Sequence, residues 1–140
     1  MNQQQALQAY KNVATKTAAP GELVLLLFDG ALRFVERAKA AFNQDDLSER
    51  NAGVNDNLQR AQAIIGELNQ ALDMERGGDL ADRLRALYNY MDEKLQESNI
   101  SKCLNSAEEV VGLLSGIRDA WSEMLNQAGG GVGPVAVAHK

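Results

Sequence analysis

The fold is decided by residues 20–42, which read PGELVLLLFDGALRFVERAKAAF. Apolar residues recur there at spacings of three and four, which is the pattern of a helix. Pro20 and Glu22 suit the first turn, because proline lacks the N–H group that would go unpaired there and a carboxylate favours the positive end of a helix. Further leucines make the segment apolar most of the way round, which predicts a central helix buried on several sides.

Three more helices show the same spacing, at about residues 48–74, 79–98 and 102–127. Ser48 is the predicted N-terminal cap of the helix at 48–74, and Asp79 is that of the helix at 79–98. Gly77 and Gly78 are predicted to end the helix at 48–74. Few residues connect these long segments, and short connections place consecutive helices antiparallel to one another. Residues 20–127 are therefore predicted to form an all-α domain, an antiparallel up-down four-helix bundle.

The two ends of the chain differ from this body. Residues 1–19 are rich in glutamine, and Leu7, Tyr10 and Val13 recur among them at a spacing of three. That pattern predicts a short N-terminal amphipathic cap segment, which is too short to be a stable helix without the bundle to hold it. Residues 128–140 contain a run of glycines and predict a flexible tail with no assigned function.

The composition excludes several classes of function. The 140 residues carry a formal net charge of -5 and a pI near 4.9, the wrong sign for a protein whose partner is nucleic acid. The longest apolar run, residues 23–28, is far shorter than the about 20 residues that cross a bilayer, so no stable membrane insertion is expected. The first residues are polar and uncharged, unlike a secretory signal, and the single Cys103 has no cysteine with which to pair. These features predict a cytoplasmic protein.

Residues suited to catalysis or metal binding are scarce. The only histidine, His139, lies in the predicted tail, where no fixed geometry can hold it. The chain contains no Glu-x-x-His pair for a di-metal site, and no histidine is placed to activate Cys103, at the predicted start of the fourth helix, as a nucleophile. The sequence therefore predicts a protein that is not an enzyme, with no catalytic residue, no metal site and no cofactor.

The fourth predicted helix has more apolar surface than one neighbour would cover. One stripe is typical of a core and contains Leu104, Ala107, Val111, Leu114 and Leu125. A second stripe, about 100° away, contains Val110, Leu113, Ile117, Trp121 and Met124. Three interpretations stay open: an interior helix, a groove that accepts an amphipathic partner helix, and a groove covered by the N-terminal segment as an intramolecular lid. The candidate residues for the groove or its cap are Leu7, Tyr10, Val13, Ile64, Leu68, Val110, Leu113, Ile117 and Trp121.

Several short strings stand in a fixed order between residues 10 and 124. They are Tyr10, Thr17 to Pro20 and Leu23; Leu27 to Leu32; Ala61, Ile64, Ile65, Glu67 and Leu68; Leu72 and Asp73; Gly77 and Gly78; Leu87 to Met91 and Leu95; Asn99; and Trp121 and Glu123. Together these strings resemble the flagellin export chaperone family, FliS. Where Phe28, Ala19 and Ser98 stand, the family pattern usually has Tyr, Ser and Ala.

The resemblance implies a cytoplasmic, non-enzymatic helical bundle with two partners. Such proteins bind the C-terminal segment of newly made flagellin, prevent its premature polymerisation and deliver it to the export gate of the flagellar type III apparatus. A flagellin end that polymerises by helix packing exposes apolar faces before assembly, and a groove that buries those faces removes the driving force for association. The alternative is a structural or signalling bundle whose extra apolar surface forms a homodimer.

Overall fold

A computed structural model describes residues 20–75 and 77–127 and contains four α-helices in that part of the chain. They are α1 (Pro20–Ala41), α2 (Leu47–Gln70), α3 (Gly78–Ser101) and α4 (Leu104–Gln127). The predicted cap segment, residues 1–19, and the predicted tail, residues 128–140, lie outside the described residues. The four helices correspond to the four predicted ones, with differences of a few residues at their ends.

The four helices form a closed ring of neighbours. α1 packs against α2 and α4, and α3 packs against the same two helices, so each helix has two neighbours. Asn55 near the start of α2 contacts Asn99 near the end of α3, and Asn69 near the end of α2 contacts Asn89 in the middle of α3. Residue numbers therefore decrease along α3 as they increase along α2. The prediction of an all-α four-helix bundle is therefore confirmed, and these helices run antiparallel.

The core lies between the four helices and is almost entirely apolar. Its largest fully buried side chains include Phe28 from α1, Leu58, Ile64 and Ile65 from α2, Tyr88, Met91 and Leu95 from α3, and Leu114 from α4. The ring of Phe28 contacts those of Tyr88 and Trp121, with ring centroids 6.4 Å and 5.9 Å away. Burial raises the pKa of the Tyr88 hydroxyl well above its ordinary value, so this group stays protonated and neutral inside the core.

α1 is buried on two sides and exposed on a third. The residues of α1 that lie in the core recur at helical spacing and are Val24, Leu27, Phe28, Ala31, Val35 and Ala38. The outer face carries Arg33, Glu36 and Arg37, all exposed, because none of the other described helices except α2 and α4 packs against α1. Among the described helices α1 has two neighbours, as each of the other three does, so in this part of the chain it is not the central helix that the sequence predicts.

Polar side chains set the register between α2 and α3. Asn55, Gln62 and Asn69 follow one another at intervals of seven residues along α2. Each is hydrogen-bonded to α3: Asn99 Nδ2 donates to Asn55 Oδ1 (2.8 Å), Gln62 Nε2 donates to Asp92 Oδ1 (3.1 Å), and Asn69 Nδ2 donates to Asn89 Oδ1 (2.9 Å). Because such groups lose their partners when helices slide past one another, the three contacts favour this register over its alternatives.

α2 begins and ends at residues other than the predicted ones. Asp46, not Ser48, is its cap, and the Asp46 Oδ1 accepts a hydrogen bond of 2.9 Å from the backbone N–H of Glu49. The backbone of Asp46 is extended, as a capping residue requires, whereas Ser48 already lies inside the helix. The helix ends at Gln70, before the predicted residue 74, and a turn follows.

α3 also differs from its prediction at both ends. It starts at Gly78, with Gly77 as a cap that has no side chain, so Asp79 lies in the first turn and not at the cap. Gly78 has a φ of 55°, a left-handed conformation that glycine adopts without a Cβ clash. The helix continues to Ser101, and Lys102, which is left-handed with a φ of 53°, ends it. α4 then begins at residue 104 and not at the predicted residue 102.

Gly53 is a point of close approach between α1 and α2. A Cβ atom there would lie 2.9 Å from the Cβ of Ala41, closer than two carbon atoms pack. Replacing Gly53 by leucine is expected to lower the free energy of unfolding by about 1–3 kcal/mol, because the two helices must move apart. Gly66→Leu is the matched control on the same helix, since nothing lies within 4 Å of a Cβ there. Urea denaturation measures both variants, and equal stability would contradict the close packing.

Candidate functional site

An apolar pocket lies where the start of α3 meets the end of α4. It has a volume of about 240 Å³ and opens to solvent. The residues that line it are Leu80, Leu84, Ile117, Ala120, Trp121 and Met124. None of them is charged, and a concave apolar surface of this size has room for a large apolar side chain of a partner.

Helical spacing places these side chains on two facing surfaces. Leu80 and Leu84 are one turn apart on α3, while Ile117, Ala120 and Met124 recur every three or four residues on α4. Ala120 is exposed and has only a methyl group, so it does not fill the space between the larger side chains. Leu80 is 45% exposed although it adjoins the core. The pocket therefore results from a small residue set among large ones.

Trp121 forms a fixed inner wall of the pocket. It is 5% exposed, its ring packs edge-on against Phe28, and its Nε1–H donates a hydrogen bond of 2.9 Å to the carbonyl oxygen of Gly21. These contacts hold the indole in one orientation, since both its apolar ring and its polar N–H group have partners. They also tie the pocket to the first turn of α1.

Two polar contacts hold α4 against its neighbours on either side of the pocket. Arg118 Nε lies 2.8 Å from Asp29 Oδ1 on α1, and the Asp29 carboxylate raises the pKa of Arg118. Solvent screens this ion pair, because both side chains are partly exposed. On the other side, Tyr90 of α3 donates a hydrogen bond of 2.5 Å to Glu109 Oε2, and this bond raises the pKa of Tyr90. Both contacts position α4 without placing a charge in the pocket lining.

The structure brings together part of the predicted site. Ile117 and Trp121 line the pocket, and Leu113 lies half-buried one turn earlier on α4. Three candidates share a place in the core, where neighbouring side chains cover them and leave no surface for a partner: Ile64, Leu68 and Val110. Three more fall outside the described residues: Leu7, Tyr10 and Val13.

The sequence patterns missed the α3 side of the pocket. Leu80 and Leu84 follow the helical spacing of an ordinary core stripe, so the sequence pattern does not indicate that they line a pocket open to solvent. Ala120 gives no signal by itself, because alanine is common on exposed helix surfaces. One usable signal was the position of Leu80 in the first turn of α3, since the end of a helix leaves large side chains less covered than its middle.

Groups for catalysis or metal binding do not gather within residues 20–75 and 77–127. No group of three or more His, Cys, Asp or Glu side chains in that part of the chain could hold a metal ion. Cys103 is exposed in the connection between α3 and α4, and not inside the start of α4 as predicted. No helix among the described residues is long and apolar enough to cross a membrane. The pocket lining can bury an apolar group, and its side chains offer no acid or base.

Comparisons with known proteins point to one family. A family model described as "Flagellar protein FliS" matches residues 2–128. The chain is 38% identical over 117 residues to the flagellar secretion chaperone FliS of Bacillus subtilis, and the matched region covers 84% of each of the two chains. It is 35% identical over 127 residues to the flagellar secretion chaperone FliS of Salmonella typhimurium, covering 87% of this chain and 91% of that one. With the flagellar secretion chaperone FliS of Escherichia coli it shares 37% identity over 123 residues, 84% of this chain and 88% of the other.

Proposed function

Because the chain belongs to the FliS family of flagellar secretion chaperones, we propose that it binds the C-terminal segment of flagellin and prevents that segment from polymerising before export. Membership of the family makes the chain a chaperone and not an enzyme. The proposed place of action is the cytoplasm, and the proposed recipient of the cargo is the export gate of the flagellar type III apparatus.

The pocket between α3 and α4 is the observation that supports this proposal. A segment that polymerises by packing helices has an apolar face, and that face is exposed to water until assembly. Seating one of its large apolar side chains against Ile117 and Trp121 removes both surfaces from water. Full burial of such a side chain contributes about 1.5–3 kcal/mol, so the pocket supplies one anchor of the interface and not the whole of it.

The line where α3 meets α4 extends this anchor into a groove. Leu87 and Leu113 are half-buried against the core one turn beyond the pocket, on the same faces of α3 and α4 as its lining. A helix laid along this line would present its apolar residues at spacings of three, four and seven. The hydrogen bond between Tyr90 and Glu109 joins α3 to α4 farther along these two helices.

The N-terminal segment is proposed to cover the pocket in the free protein. α1 begins at Pro20, and the carbonyl oxygen of the next residue, Gly21, accepts a hydrogen bond from Trp121 in the pocket wall. The seven residues from Val13 to Ala19 span up to about 23 Å when extended. Leu7, Tyr10 and Val13 are therefore within reach of the pocket and have the apolar side chains to fill it.

Deleting residues 1–14 is expected to tighten binding of the flagellin C-terminal segment. A lid that is closed nine-tenths of the time weakens the apparent affinity about tenfold, so removing the lid should strengthen the apparent affinity by the same tenfold. The truncated protein should also be less soluble, since its pocket stays open to water. Titration calorimetry on the full and truncated chains measures the change in affinity.

Circular dichroism of the truncated chain is the control for this deletion, because the four described helices must remain. Weaker binding by a fully helical truncated chain would refute the proposal that the N-terminal segment covers the pocket. Leu7 and Tyr10 would then be contacts for the cargo or for the export gate, and the segment would belong to the binding surface.

The alternative function is a structural or signalling bundle that forms a homodimer through the same apolar surface. The feature that favours a homodimer is Leu80, a residue of the pocket lining that is exposed to solvent. Sedimentation equilibrium with and without the flagellin C-terminal segment separates the two functions. A chaperone forms a one-to-one complex, whereas a stable dimer whose mass the segment does not change supports the alternative.

A further inference from the structure

Met124 is the one side chain in the pocket lining that contains sulfur. It is half-buried in a pocket that opens to solvent. Two other described methionines differ from it: Met91 is fully buried in the core, and Met74 is half-buried in the connection between α2 and α3, outside the pocket lining. A small oxidant dissolved in water therefore reaches Met74, and it reaches Met124 whenever the pocket is open, whereas the bundle shields Met91.

We propose that Met124 is a modification site, at which oxidation of the thioether to the sulfoxide by hydrogen peroxide closes the pocket to an apolar ligand. A sulfur lone pair attacks one peroxide oxygen, an S–O bond forms and the O–O bond breaks. The proton of the transferred oxygen passes to the departing hydroxide, so sulfur loses two electrons and the peroxide leaves as water. The inference rests on the proposed function for the natural ligand, the flagellin C-terminal segment.

The side chains that line the pocket offer the sulfoxide oxygen no free hydrogen-bond donor. Four of the lining residues have no polar side-chain atoms: Leu80, Leu84, Ile117 and Ala120. The indole N–H of Trp121 already donates its hydrogen bond to the backbone carbonyl of Gly21. When neither a ligand nor the proposed lid occupies the pocket, water satisfies the new oxygen because Met124 is only half-buried. An apolar ligand displaces that water and leaves the S=O dipole unpaired, which opposes binding.

Peroxide treatment of the full chain tests this inference, with peptide mass mapping to measure the sulfoxide at each methionine. Two probes are then titrated into the reduced and oxidised protein: the fluorescent apolar dye anilinonaphthalene sulfonate, and the flagellin C-terminal segment. Oxidation is expected to weaken the binding of both at least tenfold. Met124→Leu keeps the apolar volume and should abolish this sensitivity, while Met74→Leu is the matched control and should retain it. Treatment with methionine sulfoxide reductase should restore binding.

The two probes separate failure of this inference from failure of the proposed function. Oxidised protein that contains Met124 sulfoxide and binds both probes as before overturns the inference and leaves the chaperone function in place. Loss of dye binding on oxidation, in a protein that never binds the flagellin segment, supports the inference and refutes the proposed cargo. Reduced protein that binds neither probe, or Met124 that resists peroxide as Met91 does, also overturns the inference.

Discussion

Replacing Ile117 by aspartate is expected to weaken binding of the flagellin C-terminal segment at least a hundredfold while the bundle stays folded. Ile117 lines the pocket and is half-buried, so a carboxylate there is in contact with water whenever the pocket is open. An apolar side chain seated in the pocket removes that water, and the pocket lining offers no free donor, because the Trp121 N–H group is bonded to Gly21. An unpaired buried charge costs more than the about 2.7 kcal/mol that a hundredfold loss represents.

The matched control for this variant is Ile100→Asp, which makes the same change at the far end of the bundle. Ile100 is 75% exposed and lies outside the pocket, so its replacement should leave binding unchanged. Titration calorimetry measures both affinities, and circular dichroism checks the fold of each variant. Unchanged binding by folded Ile117→Asp protein would remove the pocket from the binding site. Failure of that variant to fold would place Ile117 in the core.

Replacing Phe28 by alanine is expected to lower the free energy of unfolding by about 3–5 kcal/mol, the usual cost of removing a phenylalanine from a core. Phe28 is fully buried, and its ring contacts both Tyr88 and Trp121. Its loss leaves a cavity at the centre of the bundle and removes the ring against which the pocket wall packs. Binding of the flagellin segment should therefore weaken together with stability.

Urea denaturation followed by circular dichroism measures this loss of stability. Phe34→Ala is the control on the same helix, because Phe34 is only half-buried, with Arg37 and Arg60 against its ring. That substitution removes less buried surface and should cost clearly less. Equal losses at the two positions would show that Phe28 does not hold the centre of the core.

The four helices could be predicted from the sequence because each carries an apolar stripe at helical spacing. Their caps could not, since Asp46 and Ser48 are both good capping residues and only the backbone conformation decides between them. The central position predicted for α1 failed for a related reason. Its extra leucines, Leu23, Leu25, Leu26 and Leu32, are half-buried, and composition alone does not distinguish a half-buried leucine from one in the core.

Half of the pocket could be predicted, because the second stripe of α4 already contained Ile117 and Trp121. Neighbouring positions on a helix point about 100° apart, so a small rotation decides which one enters the core. Val110 is fully buried, whereas Val111, predicted in the core stripe, is half-buried. Leu80 could not be assigned to the pocket, since which face of α3 meets α4 depends on how both helices pack against α2 and α1.

The most direct test of the central claim is titration calorimetry of the full chain with the flagellin C-terminal segment at several temperatures. Burial of apolar surface in the groove between α3 and α4 predicts a one-to-one complex whose formation has a clearly negative heat-capacity change. Trp121 is the single tryptophan of the chain, so its emission should change in parallel with the heat. Absence of binding, or binding that leaves Trp121 emission unaltered and shows no heat-capacity change, would contradict the claim that this pocket receives flagellin.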